Sequence, residues 1–159
     1  MSAPTVRAAT VDDADGIARV HIGSWRETYS RLVEPGELDE LSVERRADRW
    51  RANIDAGASV WVAVAGHEIV GFASTAVGAA DAPRPLVLES IYLLAGSHGT
   101  GAGQSLLDAA IGDSPAYLFV AQDNPRAIRF YERNGFAIDG ASEEYPLVRT
   151  PVISVRMVR

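Results

Sequence analysis

The chain has no cysteine, which excludes disulfides, thiolate metal sites and a cysteine nucleophile. Histidine is scarce: His21, His67 and His98 are the only three, and at such wide spacing no zinc or other metal site is expected. No apolar run approaches the roughly 20 residues of a spanning helix, and the N-terminus lacks the basic-then-apolar form of a secretory leader. A cytoplasmic protein without a membrane partner is therefore expected. Basic residues are outnumbered 15 to 21, for a net charge of −6, and this speaks against nucleic acid, because neutralising phosphates needs a basic excess. An acidic face would favour cationic amines, although most individual carboxylates serve only to keep a protein soluble. No repeat, linker or low-complexity tract divides the 159 residues, and 47% apolar content supplies one sizeable core, so 1–159 is expected to form a single domain.

Glycine is where the chain is most distinctive. Leu86 to Gln104 reads LVLESIYLLAGSHGTGAGQ: a strand-like apolar run, a glycine-rich turn, then a helix with Leu106, Leu107, Ala110 and Ile111 on one face. Gly99, Gly101 and Gly103 are suited to positive φ and to close approach by a ligand. Successive N–H groups in such a turn, ahead of a helix N-terminus, converge on an anion. A pyrophosphate is a natural occupant. The turn ends Gly103-Gln104-Ser105 without the lysine of an NTPase loop, and its Gly-x-Gly-x-Gly spacing and late position do not fit a dinucleotide-binding fingerprint.

About twenty residues on, Tyr117 to Val120 reads as a short strand, followed by DNPRAIRFYERNGF from Asp123 to Phe136. Asn124 is a good N-cap, Pro125 suits the first helical position, Ala127, Ile128 and Tyr131 share a face, and Gly135 terminates the helix.

These two segments resemble the signature of the GNAT superfamily of acyl-CoA-dependent N-acyltransferases, a Q/R-x-x-G-x-G/A turn followed by Asn-x-x-Ala-x-x-Phe-Tyr-x-x-x-Gly-Phe. His98 to Gly103 fills the first half and Asn124 to Phe136 the second, nearly letter for letter. The resemblance extends from about Ala8 to the last strand. The chain departs from it at His98, where Gln or Arg is usual, and at Ala95, where Pro is frequent. The extra charge that Gln or Arg would lend to a pyrophosphate is therefore altered.

Elsewhere, Thr10-Val11-Asp12-Asp13 reads as a capping-box helix start with Ile17, Val20 and Ser24 on one stripe. Pro35-Gly36 breaks that helical region, and Ser42 opens a second with Val43, Ala47, Trp50 and Ile54 at helical spacing. Two helices are thus expected before the sheet. Val60–Ala65 and Glu68–Val77 read as a hairpin turning at Gly66-His67, Gly112-Asp113-Ser114-Pro115 stops the helix after the glycine turn early, and Val152–Val158 is expected as a closing strand that offers an edge for a homodimer. The order implies an α/β (α+β) protein. The resemblance adds a mixed central sheet with helices on both faces and middle strands that splay apart to admit a pantetheine arm.

The resemblance implies acetyl-CoA as acyl donor, bound by the backbone of Gly99, Thr100, Gly101, Ala102, Gly103 and Gln104. Main-chain groups of Ile91, Tyr92 and Leu93 would hold pantetheine and the thioester, with the Leu93 N–H as oxyanion donor. It also implies Tyr131 as general acid to the departing thiolate and a cofactor contact for Asn124. The alternative for Tyr131 is a core aromatic bonded to a backbone carbonyl. An amine arrives protonated, so a base is needed. Glu89, two residues before Ile91 and expected on its face, is the best-placed carboxylate, with a water chain or a merely solvated Glu89 as alternatives. Arg126, Arg129 and Arg133 form a basic stripe, of which Arg126 is the one expected at the ribose phosphate. For the acceptor, Trp25 and Tyr29 at i, i+4 would flank an amine by cation–π contact, with Glu27 lending charge; the opposing view makes Trp25 core and Glu27 exposed. The expected activity is acetyl transfer to a small-molecule amine by direct attack in a ternary complex. A protein or peptide acceptor, and a CoA-binding sensor without turnover, are the alternatives.

Overall fold

The computed structural model describes residues 3–159. In chain order these form β1 (Thr5–Ala8), a 3-10 turn (Val11–Asp13), α1 (Ala14–Tyr29), a second 3-10 turn (Glu37–Glu40), α2 (Val43–Asp55), β2 (Ser59–Ala65), β3 (Glu68–Val77), β4 (Leu86–Leu93), a third 3-10 turn (Ala95–Ser97), α3 (Ala102–Ala110), β5 (Tyr117–Ala121), α4 (Pro125–Arg133), β6 (Ala137–Pro146) and β7 (Pro151–Val158). Seven strands make one mixed sheet in the order β1-β2-β3-β4-β5-β7-β6.

Local chemistry starts and stops these elements as the sequence suggests. Asp13 closes the capping box at Thr10 and accepts a two-pronged ion pair from Arg7 of β1, tying the first strand to the head of α1. Ser42 caps α2 by accepting from Arg45 N, Asn124 caps α4 by accepting from Ala127 N, and Gly112 and Gly135 end α3 and α4 at positive φ.

Helices cover both faces of the sheet. On one face Ile17 and Val20 of α1 and Trp50 of α2 pack on Val62 and Phe72. On the other, Leu106 of α3 meets Ala63 and Ala73, while Leu107, Ile111 and Tyr131 gather on Leu88, Leu118 and Met157.

Three expectations need correction. A strand, β1, precedes the helices; with four residues, mostly exposed, it is too short to show an alternation. A further strand, β6, lies between α4 and β7. It is exposed almost throughout and is broken by an irregularity between Ile138 and Ser142, with Gly140 at φ 95°, so it carries no apolar period to read. As a result β7 is paired on both sides, to β5 and to β6. The sheet edge on this side is β6, and the closing strand offers no edge to a second copy.

Candidate active site

The middle of the sheet is held open. β4 and β5 run parallel but share one register pair, Val87 beside Tyr117, and beyond it they diverge toward their C-terminal ends. A cleft of about 1410 Å³ follows the gap, lined by α1 and α2 at one end and by the glycine turn and α4 at the other.

At the turn, Gly99 and Gly101 take φ of 79° and 88°. No backbone hydrogen bond is donated by Gly99, Thr100 or Gly101; the first is Ser105 N to Gly101 O at 3.0 Å, leaving the first turn of α3 with its donors free. A Cβ built on Gly99 or Gly101 would meet nothing within 4 Å, so there is space for an anion above the turn. Two details differ from expectation. Gly103 lies inside α3 rather than at positive φ. Thr100 and Ala102 close the loop on itself: the Thr100 hydroxyl donates to Ser97 O at 2.6 Å and accepts from Ala102 N at 3.3 Å. Ala102 N is thus taken; of the donors left, those of Gly99, Gly101, Gly103 and Gln104 belong to residues that line the cleft, whereas Thr100, its N–H also free, does not.

Across the gap, Leu94 N bonds Val70 O on β3 at 2.9 Å. Strand alternation therefore turns the N–H and C=O of Leu93 away from β3 and toward the opening. The carbonyl is already engaged: His98 Nε2 lies 3.0 Å from Leu93 O, which makes Nε2 the protonated nitrogen, since a carbonyl only accepts. The residue that departs from the family motif thus anchors the β4 backbone to the glycine turn.

Glu89 sits where the β3–β4 register slips. Ser74 pairs with Ser90 and Thr75 with Leu88, and Glu89 is the residue left over. This bulge interrupts the alternation that would have put Glu89 on the Ile91 face. The side chain is exposed and still lines the cleft.

From α4 come Asn124, Arg126, Tyr131 and Arg133, whereas Arg129 is outside the cleft wall. Tyr131 is buried at 7% exposure. Burial, then the nearby Tyr92, push its phenol well above the usual range, so it holds its proton at neutral pH.

The other end of the cleft is an aromatic box. Trp25 meets His21, Tyr29, Tyr92 and Tyr145 edge-on, and His21 stacks on Tyr92 with centroids 5.3 Å apart. Burial raises the Tyr29 phenol to about 12, with Tyr131 and Tyr145 adding to the effect, and keeps Tyr92 protonated too. Trp25 is 2% exposed, and the guanidinium of Arg46 lies over its ring, 5.4 Å from the centroid. Trp25 therefore has no free face for a substrate amine. Glu27 is not part of the cleft wall; its carboxylate accepts from Ala95 N at 3.1 Å, bracing the turn after β4. Of the three residues expected at the acceptor, Tyr29 and Trp25 line this end of the cleft and Glu27 does not.

Four side chains in this end were not foreseen: His21, Arg46, Tyr92 and Tyr145. Arg46 lies four residues before Trp50 on the apolar stripe of α2, and a charge on the border of a buried stripe is the one signal that marks it. Among the described residues no cluster of acidic or imidazole groups forms a metal site, and no helix is long and apolar enough to cross a membrane.

Residues 22–136 match the model of the acetyltransferase (GNAT) family. The chain is 27% identical over 163 residues to a probable N-acetyltransferase of Mycobacterium tuberculosis, Rv2775, covering 97% of this chain and 93% of that one. It is 32% identical over 135 residues to YuaI, an uncharacterised N-acetyltransferase of Bacillus subtilis, covering 80% and 77%. Among solved structures it superposes on the PaiA N-acetyltransferase of Thermoplasma acidophilum in complex with coenzyme A, with a TM-score of 0.70, 17% identity and 98% of each chain covered.

Proposed function

Because the chain belongs to the acetyltransferase (GNAT) family, we propose that it moves an acetyl group from acetyl-CoA to the primary amine of a small molecule, by direct attack within a ternary complex. The observation that carries this is the run of free N–H groups at Gly99, Gly101, Gly103 and Gln104, set beside a gap between β4 and β5 that Tyr131 borders. Those donors and the N-terminus of α3 suit a pyrophosphate, and Arg126 suits a further phosphate. The main-chain groups of Ile91, Tyr92 and Leu93 suit an extended amide arm, with the Leu93 N–H stabilising charge on the thioester oxygen.

In the transfer the amine nitrogen bonds the acetyl carbon and the carbon–sulfur bond breaks. The proton lost by the amine passes to Glu89, directly or through water, and the departing thiolate takes its proton from the Tyr131 hydroxyl. Holding amine and thioester together replaces any covalent enzyme intermediate.

A small acceptor is supported by the way the β6–β7 turn is fixed beside the acceptor end. Leu147 and Val152, flanking the β6–β7 turn, pack with Trp25, Tyr29 and Leu38. Arg149 and Thr150 of the same turn reach Glu37, and Arg149 also reaches Glu40. A cytoplasmic setting goes with this reading.

The test is the melting temperature with saturating acetyl-CoA, against ATP and NAD. Ligand at about a hundred times its Kd adds roughly 2.7 kcal/mol, which is about 2–8 °C for a domain of this size. A rise specific to acetyl-CoA is expected; its absence in folded protein would overturn the proposal.

A further inference from the structure

We infer that the acceptor carries a carboxylate as well as its amine, and that Arg46 of α2 is the residue that binds it. If, as proposed above, the protein acetylates small amines, Arg46 sets which amines they are.

Arg46 is half-buried in the wall of the cleft, its guanidinium over the Trp25 ring of α1. Of the four arginines of α2, Arg45, Arg49 and Arg51 are exposed, and Arg51 pairs with Asp15 and Asp48; Arg46 is the one drawn partly out of water. Among the described residues neither Arg46 nor Arg49 forms an ion pair. Burial and the neighbouring Arg49 weigh against the charge on Arg46. A guanidinium kept partly out of water, beside a second one and with no anion, is unfavourable in the free protein. A ligand anion relieves it.

The groups around Arg46 point the same way. Trp50 Nε1 donates to His21 Nδ1 at 3.2 Å, so the neutral His21 ring carries its proton on Nε2 and is a donor at the cleft. Trp25 Nε1 is buried without a hydrogen-bond partner. Arg46, Arg49 and these N–H donors favour an anion at this end of the cleft, whose wall also carries the Glu143 carboxylate two residues from Tyr145. The planar fork of a guanidinium matches a carboxylate with two parallel hydrogen bonds. A zwitterionic acceptor, its carboxylate on Arg46 and its amine toward the β4 bulge at Glu89, satisfies both halves of the cleft.

The experiment compares free L-amino acids with their carboxamides and with the matched decarboxylated amines, reading thiol release from acetyl-CoA by wild type, Arg46→Gln and Arg46→Lys. The expected result is a kcat/KM for the carboxylates at least about tenfold above that for the amides, abolished in Arg46→Gln and partly kept in Arg46→Lys. Equal or better use of amides, or a preference unchanged in Arg46→Gln, would overturn the inference while leaving acetyl transfer intact. A second reading does not need turnover: N-acetyl amino acids should change the tryptophan fluorescence of the wild-type protein at concentrations where their amides do not, and an equal response to both counts against a carboxylate site. The acetyl-CoA melting shift, measured on each variant, establishes that it is folded. If that shift is missing in wild type, the acetyl-transfer reading itself has failed.

Discussion

The indole Nε1 of Trp50 donates to Nδ1 of His21 across the α1–α2 interface at 3.2 Å, and this bond holds a histidine uncharged inside the aromatic box. Burial, and after it the positive charges of Arg46 and Arg49, lower the His21 imidazole to about 3. The unfolded chain takes up this proton near pH 6.5, whereas the folded chain does so only near 3. Between those values the unfolded state binds more protons, so stability falls as the pH falls. Going from pH 7 to pH 5 this one group should remove about 2 kcal/mol. Urea midpoints at the two pH values check this, and His21→Gln should flatten the dependence by that amount. Asp13, held below the usual carboxylate range chiefly by its hydrogen bond to Arg7, acts in a lower window. The stability it contributes is present above about pH 4 and is lost as the pH falls through its folded value.

Tyr131→Phe should lower kcat by about 10²–10⁴-fold, the usual worth of a positioned acid, with the acetyl-CoA melting shift preserved because the hydroxyl is not needed for binding the phosphates. Single-turnover thiol release is the measurement, and unchanged kinetics would return Tyr131 to the role of a core aromatic.

Glu89→Gln should remove the low-pH limb of the kcat/KM profile if the carboxylate takes the amine proton. Its position at a bulge makes the variant structurally mild, so wild-type melting is expected alongside the altered profile. An unaltered profile assigns the proton to water.

Gly101 and Gly103 should respond differently to alanine. At Gly101, with φ 88° and nothing within 4 Å of an added methyl, the cost is conformational, about 1–2 kcal/mol, with weaker acetyl-CoA binding as well. At Gly103, inside α3 with its Cβ position 3.9 Å from Phe130, alanine should raise stability by roughly 0.5–1 kcal/mol while still weakening acetyl-CoA binding through the methyl. Thermal melts with and without ligand separate the two effects.

Local signals in this chain were legible where one residue type does one job. Asn124-Pro125 and Gly135 delimit α4, Thr10 with Asp13 opens the first helical region, and Gly66-His67 turns the β2–β3 hairpin, because caps and turns depend on neighbours within a few residues. The edge strands β1 and β6 were not legible. An edge with little buried surface has no reason to alternate apolar and polar residues, and β6 exists through its pairing with β7.

By itself the sequence determined the glycine turn, the capped helix after β5 and the family they signal, since those features are written in backbone conformations that few residues other than glycine, proline and a capping side chain permit. Only the tertiary structure decided what the aromatic end of the cleft is made of. Glu27 was drawn off to the backbone of Ala95, the ring of Trp25 was covered by Arg46, and His21 was brought against Trp50. These are meetings between side chains on different helices and strands, and their geometry follows from how α1 and α2 pack across the sheet rather than from any spacing along the chain.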